Sequence, residues 1–166
     1  MSFTQDLKVE GEFIWSKIRM HPFVQGLGDG SLPLNAFRFY MKQDYVFLIE
    51  YARVLALAVS KGGDLETMGM FAELLNATLN QEMMLHRSYA EKFGISTEDL
   101  ESTELAPTAH GYTRHLLEIG HSGGLPEVAV SLMPCQWGYA EIGAMLAREG
   151  DTTEANPYVD WIKVYS

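Results

Sequence analysis

The stretch 33–60, PLNAFRFYMKQDYVFLIEYARVLALAVS, contains no Gly and no Pro after its first residue. Apolar residues return along it every three or four positions, which predicts one long helix. Pro33 suits the first turn of such a helix, and Lys61-Gly62-Gly63 ends it. So long a helix cannot cover its own apolar stripe, and it predicts a bundle in which other long helices do.

The rest of the chain reads the same way. Residues 6–20 place Leu7, Val9, Phe13, Ile14 and Ile18 on one helical face with Trp15 beside it. HPFVQGLGDGSLP, with its glycines and prolines, reads as a loop over 21–33. A third helix is predicted over 64–93 with Gly94 as its C-cap. Ser96 and Asp99 form a capping-box pattern for a short turn or helix. Residues 108–121 read as a helix closed by Ser122-Gly123-Gly124, and 126–147 as another opened by Pro126. The segment 156–166 sets Tyr158, Ile162 and Tyr165 on one face. No sustained apolar–polar alternation and no Asn-Gly turn suggests a strand. The expectation is an all-α fold, with 1–166 as a single helical domain. KVYS has neither a breaker nor the character of a tail, so the chain is expected to stop inside a helix, C-terminally incomplete.

Charge narrows the function. Twelve basic against 22 acidic residues give a formal net charge of -10. Nucleic acid and anionic membrane both demand clustered cations, and no basic stripe runs along any helix. A single Cys in 166 residues rules out a disulfide framework and a Cys-cluster metal site. No apolar run approaches the roughly 18 residues of a spanning helix. MSFTQDLKVEGEF lacks the basic start and apolar run of a signal peptide, so a cytoplasmic location is expected. Phosphate-loop, dinucleotide and nucleophile-elbow motifs are absent.

Three places carry candidate chemistry. Asp44 shares its helical face with Phe37, Tyr40, Met41, Phe47, Leu48 and Tyr51. A carboxylate in an aromatic stripe needs a hydrogen-bonding partner. It is either a structural acid, paired with a Tyr hydroxyl or a base from a neighbouring helix, or it recognises the polar edge of a ligand. Cys135 follows Pro134 inside an apparent helix, and that Pro removes a backbone hydrogen bond. Tyr139 lies one turn on, and Glu141 lies almost opposite. Cys135 is either a buried inert thiol or a nucleophile. Glu82 and His86, four apart, are either an intrahelical pair or, with Glu50, part of a metal site.

The segments HPFVQGLGDGSLP, FRFYMKQDYVFL, HGYTRH, LMPCQWGYAEIG and NPYVDWIKVYS, in this order and spacing, resemble the TenA family of thiaminase II proteins. The resemblance covers essentially the whole chain. It implies the haem-oxygenase-like all-helical fold, with neither haem nor metal bound and no cofactor. It places the family's nucleophile at Cys135 and its pyrimidine-binding acid at Asp44. Pocket residues fall at Phe47, Tyr112, Tyr139 and Tyr165. The implied reaction converts 4-amino-5-aminomethyl-2-methylpyrimidine to its hydroxymethyl counterpart in thiamin salvage, with thiamin cleavage in some members. It requires the Cys135 thiol and the Asp44 carboxylate to act on one small molecule. The family's proton donor, a Glu, is expected in a C-terminal segment beyond these residues. The resemblance also implies a homotetramer. Two other classes compete with this reading: a metal-dependent oxidase using Glu50, Glu82 and His86, and a non-catalytic pyrimidine-binding or regulatory protein.

Overall fold

A computed structural model describes residues 2–166, and all regular structure among the described residues is helical. The chain divides into two compact units, one reaching to Ala36 and resuming at Pro134–Ser166, the other Phe37–Met133. Among the described residues no helix is long and apolar enough to cross a membrane.

In the first unit, α1 spans Phe3–Arg19 and begins earlier than the apolar spacing suggests. Ser2 and Gln5 form a reciprocal capping box: the Ser2 hydroxyl accepts from the Gln5 amide and the Gln5 side chain accepts from that of Ser2. Such a cap is worth about 1 kcal/mol. The amphipathic pattern is present, yet no residue of α1 is buried, and Phe13 and Ile14 are 71% and 62% exposed.

The stretch expected as a loop contains a helix, α2, Pro22–Asp29. Its Gly and Pro residues punctuate the helix. The His21 ring Nδ1 caps the Phe23 amide, Pro22 takes the first turn, and Gly30 at φ 76° closes the helix in the left-handed region.

Asn156 then ties distant parts of this unit together. Its side-chain NH2 donates to the carbonyls of Leu27 and Asp151, both at 2.9 Å, and its Oδ1 accepts from the Tyr158 amide. The Tyr158 hydroxyl donates to the Leu32 carbonyl at 2.5 Å. Satisfying so many buried carbonyls with one amide removes a desolvation cost of about 1–3 kcal/mol for each group otherwise left unpaired.

In the second unit, α3, Leu34–Lys61, continues from its short N-terminal turn. It is the long helix expected from the sequence. Phe37, Met41, Tyr45, Leu48, Tyr51 and Leu55 are buried along it. The single helix expected over 64–93 is interrupted. Helix α4, Leu65–Ala77, passes into a π-helical turn, Thr78–Glu82, before α5, Met83–Lys92. The Met83 amide bonds back to the Thr78 carbonyl, one residue further than in an α-helix. A π-turn slips the face by one residue without a Gly or Pro to announce it. Asp64 caps α4 through the Thr67 amide at 2.7 Å. The capping box at Ser96 opens α6, Thr97–Glu101, as its pattern predicts. Helix α7 spans Pro107–Ser122 and α8 spans Leu125–Glu149. The last helix, α9, Val159–Tyr165, belongs to the first unit.

Candidate active site

Asp44 lies mid-way along α3 and is 8% exposed. Its Oδ2 accepts a hydrogen bond from the Tyr40 hydroxyl at 3.2 Å, one turn earlier on the same helix. The same oxygen stands 2.7 Å from Nε2 of His86, which is 4% exposed and comes from α5. The other ring nitrogen, Nδ1, stands 3.1 Å from the Glu82 backbone carbonyl. A carbonyl can only accept, so Nδ1 carries a hydrogen. Burial alone disfavours the imidazolium. The hydrogen bond and negative charge of Asp44, with help from Glu82, overcome that and raise the pKa of His86 above its usual value. The partners weighed for a structural acid, a Tyr hydroxyl and a base from another helix, are therefore both present.

One turn beyond Asp44 on α3, the Phe47 ring stacks on Tyr112 of α7, with centroids 5.6 Å apart and planes 8° apart. Tyr51 continues this aromatic surface, 5.8 Å from Phe47. The carboxylate is thus followed along α3 by flat, polarisable rings of the kind that hold a heteroaromatic ligand.

In the first unit, Cys135 is half-buried on α8, directly after the helix-interior Pro134. One turn later Tyr139 meets Tyr165 at 4.8 Å between centroids, and Trp161 stands 4.7 Å from Tyr165 and 6.1 Å from Tyr139. Gly143, the next turn of α8, makes room for this cluster. A Cβ there would overlap the Tyr165 backbone. Glu141 is already engaged: Lys8 bonds its carboxylate and holds it below the usual carboxylate range, and the Trp137 indole donates to it at 2.8 Å.

The structure does not bring the metal-site candidates together. Both carboxylate oxygens of Glu50 are taken by arginines, Oε1 by Arg53 and Oε2 by Arg114. His86 turns its Nε2 to Asp44. Among the described residues no three His, Cys, Asp or Glu side chains are placed to share an ion.

Two members of these surroundings were not given these places from the sequence. His86 is visible as a partner of Glu82 but not of Asp44. Trp161 completes the i, i+3, i+4, i+7 series Tyr158, Trp161, Ile162, Tyr165 and is readable from that spacing.

All regular structure among the described residues is helical, and the likeness to solved TenA structures makes the fold one of the haem-oxygenase-like class. The chain belongs to the TENA/THI-4/PQQC family, which matches residues 10–166. It is 47% identical over 166 residues to the aminopyrimidine aminohydrolase of Halalkalibacterium halodurans, covering all of this chain and 74% of that one. The aminopyrimidine aminohydrolase of Helicobacter pylori is 37% identical over 166 residues, with 76% of that protein covered. Among solved structures, a TenA family transcription regulator from Silicibacter superposes with a TM-score of 0.92 at 41% identity, over 98% of this chain and 71% of that one.

Proposed function

We propose that this protein is an aminopyrimidine aminohydrolase of the thiaminase II type, acting in thiamin salvage. The observation that carries the reading is Asp44: a carboxylate 8% exposed, bonded to the Tyr40 hydroxyl and to His86, and followed along α3 by the stacked pair Phe47 and Tyr112. The naming of relatives 47% and 37% identical over 166 residues supports the same substrate class.

An aminopyrimidine presents a ring nitrogen beside an exocyclic amine. A carboxylate can engage that edge while the ring stacks on Phe47 and Tyr112. Cys135 acts as the nucleophile. Its thiolate adds to an electron-poor ring carbon, and the displaced electron pair expels the side-arm amine, which takes one proton from solvent as it leaves as ammonia; the water that adds in the next step gives one back. Water then adds to the exocyclic methylene so formed. The electrons return to the ring and the thiolate leaves, restoring aromaticity and giving the hydroxymethyl product. Covalent addition divides one difficult displacement into easier steps. Tyr139 and Tyr165 line the Cys135 side of the reaction. Thiamin, with a thiazolium as leaving group, is the second substrate of the same chemistry.

Incubation with 4-amino-5-aminomethyl-2-methylpyrimidine tests this. Ammonia and the hydroxymethyl pyrimidine should appear in equal amounts. Tight binding by calorimetry with no ammonia would replace the enzyme with a pyrimidine-binding protein. Self-association into four copies belongs to the proposal as well. Val9, Phe13 and Ile14 of α1 are exposed apolar residues that symmetric contacts between copies would cover, and light scattering measures the copy number.

A further inference from the structure

His86 has no part in the reaction just described, yet its two ring nitrogens are both spoken for in a site where neither Asp44 nor His86 is more than 8% exposed. The Glu82 carbonyl, at 3.1 Å from Nδ1, requires a hydrogen there. A neutral ring would then offer only a lone pair at Nε2, facing the Asp44 oxygen at 2.7 Å. Two lone pairs at that separation repel, so the contact holds a proton. With Nδ1 already carrying a hydrogen, the negative charge of Asp44 favours the doubly protonated ring, which donates from Nε2 to Asp44. The groups facing the imidazole are Asp44 from α3 and Glu82 from its own helix, with the Tyr40 hydroxyl on the same Asp44 oxygen.

A carboxylate turns readily about its last torsion, which has only a broad, roughly two-fold preference. Tyr40 belongs to the same helix as Asp44, and its bond to the carboxylate is 3.2 Å long. The bond from His86 is shorter, charge-assisted and anchored on a different helix. A purely structural pair has little to recommend it here, because an apolar pair of similar volume is commonly as stable or more so. A bond that fixes a ligand-binding carboxylate has a reason to be polar. The residue sits one turn after the π-turn Thr78–Glu82, an irregularity that often accompanies functional side chains.

We propose that His86 is a positioning residue for the aminopyrimidine reaction, holding the Asp44 carboxylate in the orientation that engages the ring edge. This rests on the aminopyrimidine reading above. The test compares His86→Asn with His86→Gln in the whole protein. The Asn amide replaces Nδ1 opposite Glu82 but is too short to reach Asp44, whereas the Gln amide reaches it. Ammonia release from the aminomethyl pyrimidine is followed with melting curves as the control for folding. His86→Asn should lower kcat/KM by about tenfold or more, chiefly through KM, and His86→Gln should return it to within about threefold of the wild type. Equal kcat/KM in the two folded variants, whether high or low, would overturn the proposal.

If neither variant folds, the wild type decides: the His86 ring nitrogen resonances should shift when the hydroxymethyl pyrimidine is added, and unmoved resonances in a protein that binds it refute the role. A wild type that neither binds nor converts the pyrimidine refutes the functional reading itself. A wild type that converts it, with variants indifferent to the length of residue 86, refutes only the part given to His86.

Discussion

Asp44 and Cys135 both stand on long helices, α3 and α8, but their surroundings are of opposite kinds. Asp44 is sealed from water and fixed by named polar partners, Tyr40 and His86. Cys135 is half-buried, follows a Pro that interrupts the helical bonding, and is succeeded by the aromatic cluster Tyr139, Trp161 and Tyr165. The difference matches the tasks proposed for them. A group that recognises a ligand edge gains from being held rigid and dry, since its alignment is settled before the ligand arrives. A nucleophile must be approached, must change its bonding and must leave again. Pro134 lies inside α8, where a Pro removes one backbone hydrogen bond and costs about 3 kcal/mol.

The sharpest way to break this comparison is to neutralise the rigid side. Asp44→Asn should lower kcat/KM roughly ten- to a hundredfold, the range for losing a hydrogen bond to a charged group. It should also lower the melting temperature, because His86 is left buried without its counter-charge. Unchanged kcat/KM would remove Asp44 from the reaction. If Asp44 and Cys135 serve one ring, the double variant Asp44→Asn/Cys135→Ala should be no slower than Cys135→Ala alone; independent, multiplying losses would separate them.

Next in size is Gly143→Ala, which forces a methyl group into the Tyr165 backbone. Overpacking of this sort costs about 1–3 kcal/mol, read from denaturant midpoints. Wild-type stability there would contradict the close seat of α9 on α8. Trp161→Phe keeps a ring but loses part of the aromatic cluster, and about 0.5–1.5 kcal/mol should follow.

The smallest expected effect is a slope. His86 has its pKa raised in the folded protein, because the hydrogen bond and charge of Asp44 outweigh burial. Its contribution to stability is therefore complete below the unfolded value of about 6.5 and is lost as pH rises through the higher folded value. Melting temperature should decline over that alkaline window in the wild type and lose this component in His86→Gln. An identical slope in both would place the effect elsewhere.

Residue order and spacing alone carry much of this fold. The uninterrupted stretch 33–60 announces a bundle helix, and α3 spans Leu34–Lys61. The run of five motifs points to the family that residues 10–166 match. Where the expectations fail, the causes are physical. Pro22 and Gly30 are equally the ends of a short helix and the contents of a loop, and composition does not separate the two. The π-turn at Thr78–Glu82 is set by backbone bonding that no residue type in TLNQE signals. His86, the cross-helix partner of Asp44 described above, lies 42 positions away. Apolar spacing shows which face each residue takes along its own helix, but a cross-helix pair also depends on the register between helices, which the π-turn alters. The apolar face of α1 teaches the converse: its periodicity marks a helix correctly, yet none of its residues is buried.

The central claim is that sulfur chemistry at Cys135 acts on an aminopyrimidine, and Cys135→Ser tests it most directly. Serine keeps the size and loses the thiolate. The account predicts that this variant still takes up 4-amino-5-aminomethyl-2-methylpyrimidine in a calorimeter while ammonia release falls by about a thousandfold or more, as expected when a covalent nucleophile is removed. Ammonia released by Cys135→Ser at the wild-type rate would contradict it.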